Sequence, residues 1–146
     1  MSHSIFSMYF AYGSNLCIRQ MNKRCQDNLR LGEGKLQGYR WIITTRGYAN
    51  IVKSPDDEVW GVIYQISEAD ESELDIYEGI KKKLYIKQYL KILSDGRTLN
   101  CLTYVDPVTN EGIPTSKYAS IINEGISDSN LPEEYVTKYL KPKIKL

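Results

Sequence analysis

Histidine is all but missing from this chain: among 146 residues only His3 carries an imidazole. A Ser-His-Asp or Cys-His mechanism, or a histidine-based metal site, would have to run through that one residue near the N-terminus, so these chemistries are set aside. Cysteine is scarce and odd in number. Cys17, Cys25 and Cys101 show no metal-ligand spacing, and three thiols suit a reducing compartment better than a disulfide framework, which points to the cytoplasm. An excess of charge of one sign is also absent. The 19 basic and 18 acidic residues leave a net charge of +1, which offers little to nucleic acid or to a membrane surface. No apolar run approaches a membrane span, and the N-terminus lacks the basic-then-apolar order of a signal peptide. Neither a dinucleotide-binding glycine pattern nor a phosphate-loop lysine is present. Any catalysis is left to carboxylates, hydroxyls, lysines and backbone dipoles, and 12 tyrosines make phenols plentiful for lining a pocket.

The length and ordinary composition, 42% hydrophobic and 25% charged, suit one domain over residues 1–146 with its core at about 7–141. No internal repeat, linker or second domain is evident. The most informative stretch is Tyr9-Phe10-Ala11-Tyr12-Gly13-Ser14-Asn15-Leu16. Ser7 to Phe10 reads as a buried strand, broken by Gly13, and Ser14 and Asn15 are favourable helix N-caps. From Leu16 to Asn28 the pattern turns helical, with Cys17, Met21 and Cys25 four residues apart. Two readings stand side by side: an ordinary N-cap, or a turn whose unpaired N–H groups and helix dipole form a carboxylate or phosphate cradle.

Further on, Leu36 to Thr45 and Ala49 to Lys53 read as strands, the second stopped by Ser54-Pro55-Asp56-Asp57. Glu58 to Ile66 is a long apolar strand in which Gly61 marks a bulge or a close backbone approach. Ser67 with Asp70 predicts a capping box that opens a helix over Glu68–Glu78, ended by Gly79. Glu78 does not suit its place: it is a carboxylate in the last turn, where the dipole opposes negative charge, on the same face as Leu74. It is either a surface acid paired with Lys81, Lys82 or Lys83, or a group held there for its chemistry.

Asp95-Gly96 predicts a hairpin joining Tyr85–Leu93 to Thr98–Val105, with Leu93 facing Thr98 and Lys87 facing Tyr104. Tyr85, Tyr89, Leu102 and Tyr104 then share one side of the sheet. Asp106–Thr115 reads as a polar loop, Ser116–Asn123 and Pro132–Tyr139 as amphipathic helices, and Lys141 onward as a basic, solvated tail.

Tyr9 to Leu16 resembles the signature strand and loop of the γ-glutamylcyclotransferase (AIG2-like) family. Leu74-Asp75-Ile76-Tyr77-Glu78-Gly79 is similar to that family's Leu-Asp-x-x-Glu-Gly motif, and Glu58-Val59-Trp60-Gly61-Val62 and Leu131-Pro132-Glu133-Glu134-Tyr135 to two further blocks in the expected order. Ser-Asn-Leu after Tyr12-Gly13 favours the γ-glutamylcyclotransferase branch proper over the γ-glutamylamine cyclotransferases, with Thr-Leu there, and the glutathione-specific relatives, with Ser-Leu. The chain stops soon after the last helix, a departure in length that bears on a substrate-facing edge or a dimer contact.

The resemblance implies an α+β fold, a mixed and partly closed barrel-like sheet with helices outside. It implies Glu78 as the catalytic acid/base and the Tyr12, Gly13, Ser14, Asn15, Leu16 turn as the holder of a small-molecule γ-glutamyl substrate, with Tyr85 and Tyr104 shaping the pocket. The implied activity is cofactor-independent and metal-independent: release of 5-oxoproline from a γ-glutamyl amide, with no nucleic-acid or membrane partner, in a monomer or homodimer. Two alternatives accompany it: a biosynthetic enzyme removing a γ-glutamyl protecting group from a natural-product amine, and a non-catalytic binder of glutamyl-type ligands.

Overall fold

The computed structural model describes residues 5–145, so His3 lies outside the described residues. Five strands form a closed barrel: β1 (Phe6–Ala11), β2 (Leu29–Ile43), β3 (Ala49–Ser67), β4 (Ile86–Ser94) and β5 (Arg97–Val105), in the order β1-β3-β2-β4-β5. Neighbours are antiparallel except where β1 meets β5 in parallel at Tyr9–Leu102 and closes the ring. The fold is the barrel-like α+β class that the resemblance implies.

Helices α1 (Ile18–Arg24) and α2 (Glu68–Tyr77) pack on one face of β1, and α3 (Ser116–Asp128) with α4 (Glu133–Tyr135) on the other. The alternation of β1 explains the division. Tyr9 and Ala11 join a core cluster with Leu16, Met21, Val62, Tyr64, Leu74 and Leu102, while Phe10 joins Trp41, Ile51, Ile63, Ile122 and Tyr135. No helix among the described residues is long and apolar enough to cross a membrane.

Several local expectations hold. Ser67 Oγ accepts from Asp70 N–H (3.1 Å) while Asp70 Oδ2 accepts from Ser67 N–H (3.2 Å), which is the capping box of α2. Gly79, with φ 62°, follows the C-cap residue Glu78. Asp95 and Gly96 both have positive φ, 48° and 73°, as a two-residue hairpin of this type requires, and Leu93–Thr98 and Lys87–Tyr104 are cross-strand pairs.

Others are corrected. The helix expected from Leu16 is a 3₁₀ turn at Ser14–Leu16 followed by the seven-residue α1, so Ser14 and Asn15 do not cap it. Its first N–H, from Ile18, donates instead to Asp128 Oδ2 of α3 at 2.9 Å. The two strands expected either side of Ser54–Asp57 are one strand, because the register slips opposite Gly38 and the polar segment is accommodated as a bulge. Helix α3 runs on to Asp128 with Gly125 inside it, packed against Leu16. The basic C-terminal run is not free in solvent: α4 continues through a π-helical turn, Val136–Leu140, and a 3₁₀ turn, Lys141–Lys143, and Ile144 is buried in the core. Tyr89 shares a side with Leu102 by register, as expected, and is exposed there.

Gly61 sets the spacing between β1 and β3. A Cβ there would stand 2.3 Å from the carbonyl oxygen of Ala11, the last residue of β1. Gly61→Ala should therefore push β1 off β3 and lower stability by at least the usual cost of overpacking, about 1–3 kcal/mol. Denaturant unfolding of the two proteins measures it, and an unchanged midpoint would show that β1 can shift freely.

Candidate active site

The end of β1 opens into a cleft of about 530 Å³. Its walls come from the turn after β1 (Tyr12, Gly13, Ser14, Asn15), the end of α2 (Tyr77, Glu78), the approach to β4 (Tyr85), Tyr104 of β5, the loop before β3 (Arg46, Tyr48) and the start of α3 (Lys117, Tyr118). Of the residues expected at the site, all but Leu16 line this cleft. Leu16 is wholly buried beneath the turn, in the cluster that carries Met21 and Leu74.

The turn presents its backbone. Its internal bonds run from Leu16 N–H to Gly13 O (3.0 Å) and from Cys17 N–H to Ser14 O (3.1 Å), so the N–H groups of Gly13, Ser14 and Asn15 are not donors within it. They belong to a 3₁₀ turn, so the cradle expected here has the geometry of a turn and owes little to a helix dipole. Gly13 sits in a tight place: a Cβ would lie 3.1 Å from the Ala49 Cβ and 3.2 Å from the Tyr118 hydroxyl, so a side chain there would press on both. Tyr12 is buried, donating its hydroxyl to Tyr104 O and accepting from Trp41 Nε1 at its own carbonyl (2.9 Å), which locks the entry to the turn.

The Asn15 side chain is more than part of a cradle. It is buried, its Nδ2 donates to the Tyr9 hydroxyl (3.0 Å), and its Oδ1 accepts from Arg24 Nη1 (3.2 Å) and Gln20 Nε2 (3.3 Å). Its carbonyl accepts from the Tyr64 hydroxyl (2.8 Å). Arg24 also lies over the Tyr77 ring, 4.4 Å from its centroid.

Glu78 sits at the C-cap of α2, half-buried, with its carboxylate free of hydrogen bonds and ion pairs to the described residues. The surface pairing with Lys81, Lys82 or Lys83 is not formed among them. Burial raises its pKa from 4.5 to about 7; Arg24 and Arg46 pull it down and Asp106 pushes it up by smaller amounts. Arg46 is held by the fully buried Asp106 carboxylate through Nε (3.1 Å) and Nη2 (2.7 Å) and lies beside the Tyr85 ring. Tyr104 donates to Asp75 Oδ1 (2.7 Å), and Lys87 Nζ donates to Asp75 Oδ2 (3.0 Å). Tyr85 donates to Ala49 O (3.3 Å). Both phenols thus shape the wall beside Glu78 with their protons directed to other groups.

The model of the AIG2-like family matches residues 58–139. The γ-glutamylcyclotransferases of Mus musculus and Homo sapiens are 33% and 32% identical over 142 residues, covering 90% of this chain and 76% of each relative. The chain belongs to the γ-glutamylcyclotransferase (AIG2-like) family. A solved structure described as a γ-glutamyl cyclotransferase superposes with a TM-score of 0.83 at 29% identity, over 92% of this chain and 86% of that one. In this member of the family, the residues that sequence reading passed over are Tyr9, Gln20, Arg24, Arg46, Tyr48, Lys117 and Tyr118. Gln20 and Arg24 carried a usable signal, being one helical turn apart and so able to reach one acceptor together. Arg46 and Lys117 carried none, since loop and helix-start cations are ordinary surface features.

Cys17 Sγ lies near Glu124 and Asp128, a grouping with no sequence spacing to announce it. Its thiol donates to Glu124 Oε2 (2.9 Å), Glu124 is ion-paired with Arg19 and Asp128 takes the Ile18 N–H, so these groups satisfy one another.

A raised pKa has a stability consequence. The native state holds the Glu78 proton more tightly than the unfolded chain, so its contribution is full below about pH 4.5 and is lost as pH rises through about 7. Glu78→Gln, neutral at every pH, should raise Tm relative to wild type at pH 8 and show no such gain at pH 4. Equal differences at both pH values in thermal melts would show that Glu78 is not buried against its charge.

Proposed function

We propose that this chain is a γ-glutamylcyclotransferase that converts a γ-glutamyl amide to 5-oxoproline and a free amine, with Glu78 as the proton carrier. The observation that carries this reading is a carboxylate without hydrogen-bond partners among the described residues, its pKa raised by burial to about 7, set in the same cleft as the N–H groups of Gly13, Ser14 and Asn15. A pure anion binder gains nothing from a half-buried acid there. An acid/base that must both take and return a proton near neutrality needs it.

The substrate contains its own nucleophile. The α-amino group is placed to close a five-membered ring on the γ-carbonyl, so proximity is provided covalently and no serine, cysteine or water need attack. The turn N–H groups hold the α-carboxylate. Glu78 accepts a proton from the α-ammonium, the freed nitrogen forms the new C–N bond, and the old amide C–N bond breaks. The α-nitrogen goes from three protons to one and the departing nitrogen from one to three, so two protons move between them and Glu78 relays each. No water or redox partner is consumed.

The charge of the cleft bears on the leaving group. Arg24, Arg46 and Lys117 line it against the single carboxylate of Glu78. With the glutamyl carboxylate at the turn, the anchored Arg46 favours a second carboxylate, that of a γ-glutamyl amino acid, over a plain or cationic γ-glutamyl amine.

Glu78→Gln should lower turnover by at least about 10²-fold with ligand binding largely retained, and the exposed Glu73→Gln should change it little. Release of 5-oxoproline from γ-glutamyl-alanine decides this, and equal rates for all three proteins would overturn the mechanism. Arg46→Met should cut kcat/KM for γ-glutamyl-alanine about 10-fold or more while leaving γ-glutamyl-ethylamide little affected. A wild-type preference for the ethylamide would favour the amine-deprotecting alternative.

A further inference from the structure

Tyr9 is a buried phenol in the wall of the cleft, and the hydrogen-bond inventory around it fixes where its proton can go. Arg24 and the Gln20 amide nitrogen can only donate, so the Asn15 atom that meets both must be its oxygen. The other end of the same amide is then its NH₂ group, which donates to the Tyr9 oxygen at 3.0 Å. The Tyr9 oxygen is thereby an acceptor from Asn15, and its own O–H has no acceptor among the described residues. The ring cannot turn to find one, being stacked on Tyr64 at 6.2 Å and set edge-on to Tyr104 at 5.9 Å between centroids. Tyr104 and Tyr85 spend their protons on Asp75 and the Ala49 carbonyl, and Tyr118 accepts from Ala49 N–H (3.1 Å) at the far side of the turn, so Tyr9 is the phenol of this wall whose oxygen is tied through an amide to a fixed cation.

We propose that Tyr9 is a further catalytic residue, its O–H donating to the γ-carbonyl oxygen of the substrate as negative charge develops there, with Asn15 and Arg24 forming a relay that polarises it. This rests on the cyclotransferase reading above. The relay runs from the fixed positive charge of Arg24 through the Asn15 amide to the phenol, each bond polarising the next. Burial and the neighbouring Glu78 keep the phenol protonated, so it can donate throughout the reaction. With the turn N–H groups engaged by the α-carboxylate, a separate donor is required for the oxyanion, and such a donor acts on the transition state more than on the bound substrate. Asn15 and Arg24 are positioning residues in this scheme.

The test is steady-state 5-oxoproline release from γ-glutamyl-alanine across pH by wild type, Tyr9→Phe, Asn15→Asp and the double variant. Tyr9→Phe keeps the ring packing and should lower kcat about 10²-fold with KM and the pH midpoint little changed. Asn15→Asp turns the donor into an acceptor that captures the Tyr9 proton, so it should lose a similar factor, and the double variant should be no worse than either single one. The Asn15→Asp arm also reads the proposal if Tyr9→Phe folds poorly. A Tyr9→Phe kcat within about threefold of wild type overturns the proposal, as does a double variant whose losses multiply. A shifted pH midpoint without loss of kcat would put the Tyr9 proton on Glu78 and overturn it too. If wild type releases no 5-oxoproline, the cyclotransferase reading falls and this inference with it; a working wild type with an unimpaired Tyr9→Phe sinks this inference alone.

Discussion

The close approach of β1 to β3 is the constraint on which the site depends. Because Gly61 has no side chain, the backbone of Ala11 can lie against it, and the strand ends where the turn can reach both α3 and the cleft. Alternation along six residues of β1 does the rest. Phe10 enters one core cluster, Tyr9 and Ala11 enter the other, and Leu16 pins the turn from below. A loop with so many fixed ends is preorganised, as groups must be if they are to act on a transient charge without first rearranging.

Against that rigid turn stands a helix end. The capping box at Ser67 fixes where α2 begins, and its length of 10 residues then fixes where Glu78 falls. The C-cap is an unfavourable place for a carboxylate, and burial makes it more so. Stability is given up there for a carboxylate whose pKa lies near neutrality, a common relation between function and local strain. The neighbouring cations limit the cost: Arg24 and Arg46 both act on Glu78, while Asp106 neutralises part of Arg46.

Much of this was legible in the sequence because it rests on local rules. The Asp95-Gly96 turn dictated the hairpin register, Ser67-x-x-Asp70 the start of α2, and the isolated Gly61 a close approach. Glu78 stood out since it broke the helix pattern. What was not legible came from tertiary contact. The N–H of Ile18 is satisfied by Asp128, 110 residues away, so the cap of α1 could not be read from Ser14 or Asn15. Ile144 is buried because α4 and its continuation fold back on the core, which a lysine-rich tail conceals. The role of the Asn15 side chain depends on Tyr9, Gln20 and Arg24 arriving at one point. Their spacing of six, five and nine residues has no single period to reveal it.

The central claim is that the fold holds one glutamate, Glu78, ready to exchange a proton near neutral pH. Titration of its side-chain carboxyl carbon by nuclear magnetic resonance in the ligand-free protein, assigned by its loss in Glu78→Gln, tests this without any substrate. The account predicts a midpoint at about 7. A midpoint near 4.5, the ordinary value for a glutamate, would contradict it and leave Glu78 as a solvated acid at the end of a helix.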